Sequence, residues 1–275
     1  ARARGGRGRM RAWALGTGSS GNALVLEAGD GRVLVDAGFA PREMARRLRA
    51  IDVAPESIEA LIVTHEHHDH ARGAAACAAK WKWHTYASAG TWPSLDPRPW
   101  PGTSFVSGAT LDLRTISVHT VRVAHDAAEP VALVATARDS GERVGVVYDV
   151  GHATRSLVDA LSRLDALVLE SNHDEGWLRA GPYPPSVCDR IAGPFGHLSN
   201  RAAALVAASC AHRGLASVVL AHLSRRCNTP HLAQTLVRTA LGKTAFRGEL
   251  RVSGQDTPIA IPLGTDRPQQ FSFGW

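Results

Sequence analysis

The sequence lacks the features that mark membrane, secreted and disulfide-stabilised proteins. No apolar run approaches the roughly 20 residues that a membrane-spanning helix requires, and the N-terminal stretch has no apolar core of the secretory-signal type. The four cysteines form neither a C-x-x-C pair nor a compact framework: they are Cys77, Cys188, Cys210 and Cys227. We therefore expect a soluble, cytoplasmic protein with reduced thiols and no membrane partner. The sequence leaves the oligomeric state open.

Acidic residues are scarce at one end of the chain, and this accounts for most of the positive net charge. The 275 residues include 31 Lys and Arg against 25 Asp and Glu, a balance that by itself would favour a nucleic-acid partner. Four of the arginines lie within residues 1–10, which hold no acidic residue. We predict that residues 1–10 are a disordered basic tail and that residues 11–275 form one domain of nearly balanced charge.

A dense cluster of metal-binding side chains occupies the stretch Thr64-His-Glu-His-His-Asp-His70. It follows the apolar residues 60–63, which predict a buried strand, and it precedes an Ala-rich stretch that predicts a helix over residues 71–80. A solvated, His-rich turn is the alternative. The strand before the cluster and the helix after it favour a metal site, because motif and context agree.

The spacing within this stretch divides its side chains between two cations. His65 and His67 are two positions apart, so in an extended segment both imidazoles face the same way and can bind one cation. Asp69 and His70 lie one turn further on and can face a second cation. Two metal ions about 3.5–4 Å apart could then share a hydroxide. His68 lies between these positions, and we expect it to be a bystander.

Further candidate residues stand at the ends of other predicted strands. His125 follows a strand-like region, while Asp149 and His222 each follow or end an apolar run. A lone histidine such as His125 is more often an ordinary surface residue. The shared position at C-terminal strand ends, where an α/β scaffold carries its site, favours one common site instead. Asp36 ends an early strand, where it could orient a ligand histidine or cap its turn.

Two hydroxyl-bearing stretches are candidate phosphate-binding elements. The loop of residues 16–22 carries Ser19 and Ser20, and its backbone N–H groups could approach a phosphate. A tight hairpin connection is the equally simple alternative. Ser199 suits the N-cap of a helix, so the free N–H groups at Asn200 and beyond could hold an anion. We predict these four residues as substrate contacts.

The candidate residues occur in one order along the chain: Asp36, the H-x-H-x-D-H run, His125, Asp149 and His222. This order resembles the five motifs of the metallo-β-lactamase-fold superfamily. The resemblance implies an α/β fold, a four-layer αββα sandwich with two divalent ions, zinc or manganese, at one edge of the inner sheets. It implies these ligands: His65, His67 and His125 for one ion, Asp69, His70 and His222 for the other, and Asp149 between them. The best-known true lactamases have a cysteine in place of Asp149, so antibiotic hydrolysis is disfavoured.

Five longer motifs give a finer resemblance: L-G-T-G-S-S-G-N at 15–22, H-D-A at 125–127, E-S-N-H-D at 170–174, G-H-L-S-N at 196–200 and H-L-S at 222–224. They resemble the YycJ/WalJ-like branch of the superfamily, a group of DNA exonucleases. The resemblance implies a DNA end, in particular a 5′ end, as substrate. Where the branch carries an Asn pair, this chain has Arg225-Arg226-Cys227-Asn228. The Arg pair could meet a phosphate backbone or simply be solvated.

We interpret these residues as the site of a binuclear metal-dependent phosphodiester hydrolase. Asp69 could orient the nucleophile, and His197 or His173 could protonate the leaving oxygen, although a helix-cap or buried structural role is an equal alternative for both histidines.

An RNA-processing nuclease and a glyoxalase II-like thioester hydrolase are the enzymatic rivals. The sequence shows no long inserted arm, which argues against the first, and no C-terminal helical domain, which argues against the second. A catalytically silent nucleic-acid-binding or regulatory protein is the non-enzymatic rival, against which the intact motifs argue.

Overall fold

A computed structural model describes residues 8–95 and 101–264 of the chain. Its strands are β1 (Met10–Gly16), β2 (Ala23–Ala28), β3 (Gly31–Val35), β4 (Ala60–Val63), β5 (His84–Ser88), β6 (Gly102–Phe105), β7 (Thr110–Asp112), β8 (Ile116–Arg122), β9 (Val131–Ala137), β10 (Arg143–Val147), β11 (Ala166–Glu170), β12 (Ser217–Ala221), β13 (Glu249–Val252) and β14 (Ile259–Ile261). Its α-helices are α1 (Pro41–Arg49), α2 (His68–Ala71), α3 (Ala74–Trp81), α4 (Arg155–Ala160), α5 (Glu175–Ala180), α6 (Pro185–Ala192), α7 (Asn200–Cys210) and α8 (Pro230–Leu241). Short 3₁₀ turns lie at Pro55–Ser57 and Trp92–Ser94.

Most of the predicted basic tail lies outside the described residues. Within them, Arg9 donates to Glu142 at 3.0 Å and β1 begins at Met10, one residue before the predicted domain boundary. Across residues 8–95 and 101–264, no helix combines the length and apolar character needed to cross a bilayer.

The strands form two mixed sheets of seven strands each. One sheet has the order β14-β1-β2-β3-β4-β5-β6, and the other has the order β13-β12-β11-β10-β9-β8-β7. Strands β3 to β6 are parallel to one another, and so are β10 to β13. The central parallel strands are buried on both faces, which explains their nearly continuous apolar sequences.

Strand β2 shows how one strand contributes to two cores, because alternate side chains face opposite sides of a sheet. Leu24 and Leu26 belong to the apolar cluster between the sheets, whereas Val25 belongs to the cluster that includes residues of α1 and α3. In the other sheet, Val168 of β11 joins the inter-sheet cluster and Leu167 packs with residues of α4, α7 and α8. Helices therefore cover the outer face of each sheet, which confirms the predicted four-layer αββα sandwich.

The strand directions bring the candidate residues to one edge of the sandwich. Strands β3 and β4 are parallel neighbours, as are β10, β11 and β12. Strand β8 is antiparallel to β9, which is antiparallel to β10, so β8 and β10 end on the same side. The candidates follow five of these strands: Asp36 after β3, the H-x-H-x-D-H run after β4, His125 after β8, Asp149 after β10 and His222 after β12.

The prediction of a single helix over residues 71–80 is wrong at the start of that helix. The last residues of the histidine motif form the short α2, and α3 begins separately after Gly73. The N–H of Gly73 donates to Ala37 O at 2.8 Å, and a β-carbon at this glycine would lie 2.0 Å from Phe39 O. The close approach of these two backbones ends α2 and fixes it against the segment that follows β3.

Candidate metal centre

The seven predicted ligands come together at this edge in two groups. One group is His65, His67 and His125, and the other is Asp69, His70, Asp149 and His222. Within each group the candidate ligand atoms all lie within 4.8 Å of one another. Asp149 joins the groups, because its Oδ2 atom lies 3.3 Å from His65 Nε2 and 2.6 Å from His70 Nε2. His68 is exposed and belongs to neither group.

An unusual backbone conformation places three of the side chains. Asp36, Asp149 and His222 have φ angles of 60°, 46° and 53°, in the left-handed region. That region is unfavourable for residues other than glycine, by roughly 1–2 kcal/mol, and it persists where surrounding contacts over-determine it. Each residue lies within two positions of a strand end. The turn therefore holds the side chain at the edge where the groups meet.

Hydrogen bonds fix the ring nitrogens of the first group. His125 Nδ1 lies 2.9 Å from Gly196 O and therefore donates to it, which leaves the Nε2 lone pair for a cation. His65 Nδ1 lies 3.1 Å from Thr64 Oγ1, and His67 Nδ1 lies 3.2 Å from His125 Nε2. Burial lowers the pKa of His65 and of His125. Both imidazoles are thus held in the neutral form that binds metals.

In the second group, a carboxylate behind the ligands orients one histidine. His70 Nδ1 lies 2.7 Å from Asp36 Oδ2, and Asp36 Oδ1 accepts from Thr64 N at 2.7 Å. Asp36 can therefore fix the orientation of the His70 ring. Burial lowers the pKa of His70, but Asp149 and Asp36 raise it well above its usual value. Protons and a cation consequently compete for this imidazole.

One buried nitrogen of the centre, His65 Nε2, has no hydrogen-bond partner among the described residues. Asp149 Oδ1 lies 2.8 Å from His222 Nδ1 and 3.1 Å from His197 Nδ1, and both of these nitrogens also contact Glu170. Unpaired buried polar atoms are costly unless a ligand satisfies them. Imidazole nitrogens and carboxylate oxygens suit Zn²⁺ or Mn²⁺. The residues present therefore fit a divalent metal centre.

Glu170 is a member of the centre that sequence reasoning missed. It is fully buried, and its Oε1 atom lies 2.7 Å from His197 Nδ1 and 3.1 Å from His222 Nδ1. Its Oε2 atom accepts from Val150 N at 2.9 Å and from Leu198 N at 3.1 Å. Because both oxygens are engaged, Glu170 orients the two imidazoles. Its position at the end of β11 was the signal that could have identified it, since the other candidates also stand at strand ends.

The two histidines predicted as proton donors have different surroundings. His197 Nδ1 contacts Glu170 and lies 3.1 Å from Asp149 Oδ1. Burial lowers the pKa of His197, but Glu170 and Asp149 together raise it to about 10. His173 is buried outside both ligand groups, its Nδ1 has no partner among the described residues, and burial lowers its pKa. His197 is therefore the one of the two that contacts the centre.

The loop of residues 16–22 uses its backbone donors within the protein. Three of its N–H groups are engaged in this way: Gly18 with Asn22 Oδ1, Ser20 with Gln255 Oε1, and Gly21 with Gly18 O. These three amides are therefore not free to cradle a phosphate, and a substrate contact by the rest of the loop stays a prediction. Ser19 and Ser20 are exposed, so their hydroxyl groups are what the loop offers to a substrate.

The polar groups at the start of α7 are also engaged within the protein. Ser199 Oγ accepts from Ala202 N at 3.2 Å, which caps the helix, and donates to Glu175 Oε1 at 2.8 Å. Asn200 is buried, and its Oδ1 atom accepts from Ser171 Oγ at 2.6 Å. These contacts give both residues a structural role, and a substrate contact by either stays a prediction.

The segment that departs from the branch pattern is divided between core and surface. Cys227 is buried in a small apolar cluster with Cys188, so its thiol is part of the packing. Arg225 is exposed and pairs with Asp256 at 2.6 Å. The departure therefore leaves the candidate ligands untouched.

A comparison with known protein families identifies this arrangement. A family model described as the metallo-beta-lactamase superfamily matches residues 16–166, which include every motif from Asp36 to Asp149. The chain belongs to this superfamily. With its clustered histidine and aspartate side chains, this metallo-beta-lactamase-fold protein is a metal-dependent hydrolase, as the sequence predicted.

Curated relatives of this metallo-beta-lactamase-fold protein lie within one branch. The exodeoxyribonuclease WalJ of Streptococcus pneumoniae serotype 2 is 30% identical over 226 residues, which cover 80% of this chain and 83% of the relative. The exodeoxyribonuclease YycJ of Bacillus anthracis is 30% identical over 237 residues, which cover 84% of this chain and 89% of the relative. The resemblance to the YycJ/WalJ-like branch is thereby confirmed.

Solved structures agree with the fold at lower identity. The metallo-beta-lactamase fold protein YhfI from Bacillus subtilis has a TM-score of 0.70 at 17% identity, and the match covers 92% of this chain and 100% of that one. The short form of human tRNase Z has a TM-score of 0.64 at 17% identity, with the same coverage of both chains. Both likenesses concern the fold alone.

Replacing Glu170 by Gln should weaken metal binding by this hydrolase about 10- to 100-fold. A carboxamide has one acceptor oxygen, so its NH₂ group would face either the two imidazoles or the two backbone N–H groups that now donate hydrogen bonds to the carboxylate. Titration of Zn²⁺ and Mn²⁺ into metal-stripped protein measures the change. Glu27→Gln is the matched control, because Glu27 is also buried but bonds to Arg32 at 2.6 Å. Unchanged affinity in Glu170→Gln would contradict the orienting role.

Proposed function

We propose that the protein is a binuclear metal-dependent nuclease that removes nucleotides from the 5′ ends of DNA. The observation that carries the proposal is the position of Asp149, whose carboxylate contacts a histidine in each candidate ligand group. Relatives that are 30% identical over at least 80% of the chain are named exodeoxyribonucleases. That similarity supplies the substrate class, and the residues of the centre supply the chemistry.

The candidate ligands divide between two divalent ions, zinc or manganese. His65, His67 and His125 would hold one ion, Asp69, His70 and His222 would hold the other, and Asp149 would contact both. When bound, the ions supply the Lewis acidity that activates water and neutralises charge on the phosphoryl oxygens. The protein's own contribution is to fix the ligands, to orient the nucleophile and to provide a proton for the leaving group.

We assign the orientation of the nucleophile to Asp69. Its Oδ2 atom accepts from Asn22 Nδ2 at 3.1 Å and lies 3.2 Å from His222 Nε2. Burial raises the pKa of Asp69, but the contacts with His222 and His70 lower it overall, so the carboxylate stays ionised and can accept a hydrogen bond from water. Its side chain is 21% exposed, against 2% for Asp149. Of these two carboxylates, Asp69 is the one that an incoming water can reach.

We assign the protonation of the leaving oxygen to His197. Its Nδ1–H donates to Glu170, so Nε2 remains for the substrate, and 20% of the side chain is exposed. The pKa of His197, raised to about 10, keeps the ring protonated near neutral pH, the state that a proton donor requires. His173 stays neutral because burial lowers its pKa, which favours a structural role for that residue.

Incubation with end-labelled DNA tests the nuclease proposal. We expect mononucleotide release with Mn²⁺ or Zn²⁺, and we expect phosphorothioate linkages to block it at the 5′ end but not at the 3′ end. Release should be lost in His67→Ala and after chelation with EDTA. RNA of the same sequence and a glutathione thioester test the two rival activities. Absence of release with every metal would refute the nuclease proposal, whereas protection by 3′ linkages would refute only the polarity.

A His197→Ala exchange should lower kcat on DNA by about 10²- to 10⁴-fold while leaving the metal content unchanged. The nitrophenyl ester of thymidine 5′-phosphate should be affected much less, because nitrophenolate leaves without needing a proton. Steady-state kinetics on both substrates give the comparison. His119→Ala is the control, since His119 is exposed on β8 and bonds to Thr110. Equal losses on the two substrates would show that His197 does not protonate the leaving group.

A further inference from the structure

We propose that Arg190 and Phe195 form a nucleotide-binding rim beside the metal centre, with Arg190 holding a backbone phosphate and Phe195 stacking on a base. The proposal rests on the proposed nuclease function and adds the residues that hold the DNA strand. The two side chains belong to the segment between β11 and α7, and neither takes part in the candidate ligand groups.

Asp126 connects Arg190 to the first ligand group. Arg190 Nε donates to Asp126 Oδ2 at 2.8 Å. The other oxygen of this carboxylate lies 3.4 Å from His125 Nε2 and 3.9 Å from His67 Nε2. The guanidinium group is therefore separated from a candidate ligand nitrogen by a single carboxylate. A phosphodiester bound at the centre would therefore lie close to this arginine.

The contact with Asp126 leaves the phosphate-binding part of Arg190 available. Arg190 donates to Asp126 through Nε, and within the described residues no hydrogen bond occupies either of its terminal nitrogens. The Arg190 side chain is 69% exposed. A guanidinium fork can donate two parallel N–H groups to a phosphate, and a carboxylate behind it restricts the side chain in advance. Asp126 itself is only 34% exposed, and its backbone N–H donates to Phe195 O at 3.0 Å.

Phe195 is presented by a turn that is fixed at three successive carbonyl groups. Pro194 O accepts from His152 Nδ1 at 2.9 Å, Phe195 O accepts from Asp126, and Gly196 O accepts from His125 Nδ1 at 2.9 Å. The Phe195 side chain is nevertheless 59% exposed. An exposed ring on a fixed backbone can stack on a nucleobase with little loss of conformational freedom.

The neighbouring Arg179 provides the matched contrast. It is also an exposed arginine paired with an aspartate, Asp189, at 2.5 Å. Both members of that pair are largely exposed, and within the described residues Asp189 belongs to neither candidate ligand group. Exposed ion pairs of this kind contribute little to the stability of the folded protein. The link through Asp126 to the ligand histidines is what distinguishes Arg190.

Binding of a phosphorothioate single-stranded oligonucleotide over a series of salt concentrations tests the rim, with fluorescence anisotropy as the readout. Arg190→Ala should reduce the slope of log affinity against log salt by about 0.7, which is the loss of one phosphate contact. Phe195→Ala should weaken binding about 10-fold without changing that slope. Arg190→Lys should keep the slope and recover part of the affinity. Arg179→Ala and Leu205→Ala, which remove exposed side chains elsewhere, should resemble the native protein.

The outcomes separate this proposal from the nuclease proposal. An unchanged slope in Arg190→Ala, or an equal change in Arg179→Ala, would overturn the assignment of Arg190. Unchanged affinity in Phe195→Ala would overturn the stacking role. Failure of the native protein to bind the oligonucleotide would overturn the rim as a whole. If the variants change binding as expected but DNA is not hydrolysed with any metal, the rim stands and the nuclease proposal fails.

Discussion

The contact of Asp149 with both candidate ligand groups is the interaction on which the rest of the centre depends. Its buried carboxylate lies within 3.3 Å of His65 and 2.6 Å of His70, and these histidines follow a strand in the other sheet. The contact can form only if the C-terminal ends of β4 and β10, which belong to different sheets, lie next to each other. The apolar cluster between the sheets, in which Leu26 and Val33 pack with Leu133 and Val168, keeps that alignment.

A second set of contacts decides which ring nitrogens remain for metal ions. Asp36, Glu170 and the carbonyl of Gly196 each take the Nδ1 position of a different histidine. The Nε2 atoms of these rings are therefore left at the centre. Because these accepting groups are buried, they fix the orientation of the rings, which lowers the reorganisation that metal binding requires. The same arrangement explains why Glu170 can fix His197 as well as His222.

The candidate ligands could be recognised in the sequence because their signals are local. The H-x-H-x-D-H spacing and the apolar strand before Asp149 are both visible within a few residues. Glu170 also ends an apolar strand, but its partners His197 and His222 are 27 and 52 positions away, so its contacts with them could not be predicted. The break before α3 depends on backbone contacts of Gly73 with residues after β3, and the Asp126–Arg190 pair spans 64 positions. Contacts of this range have no local pattern to reveal them.

Metal analysis of the native protein and of Asp149→Asn tests the central claim most directly. After equilibration with buffered Zn²⁺ or Mn²⁺ and removal of free metal, we predict two ions per chain in the native protein, because Asp149 contacts both ligand groups. We predict fewer than two in Asp149→Asn, with the fold retained by circular dichroism. One ion or none in the native protein, or two ions retained in Asp149→Asn, would contradict the account.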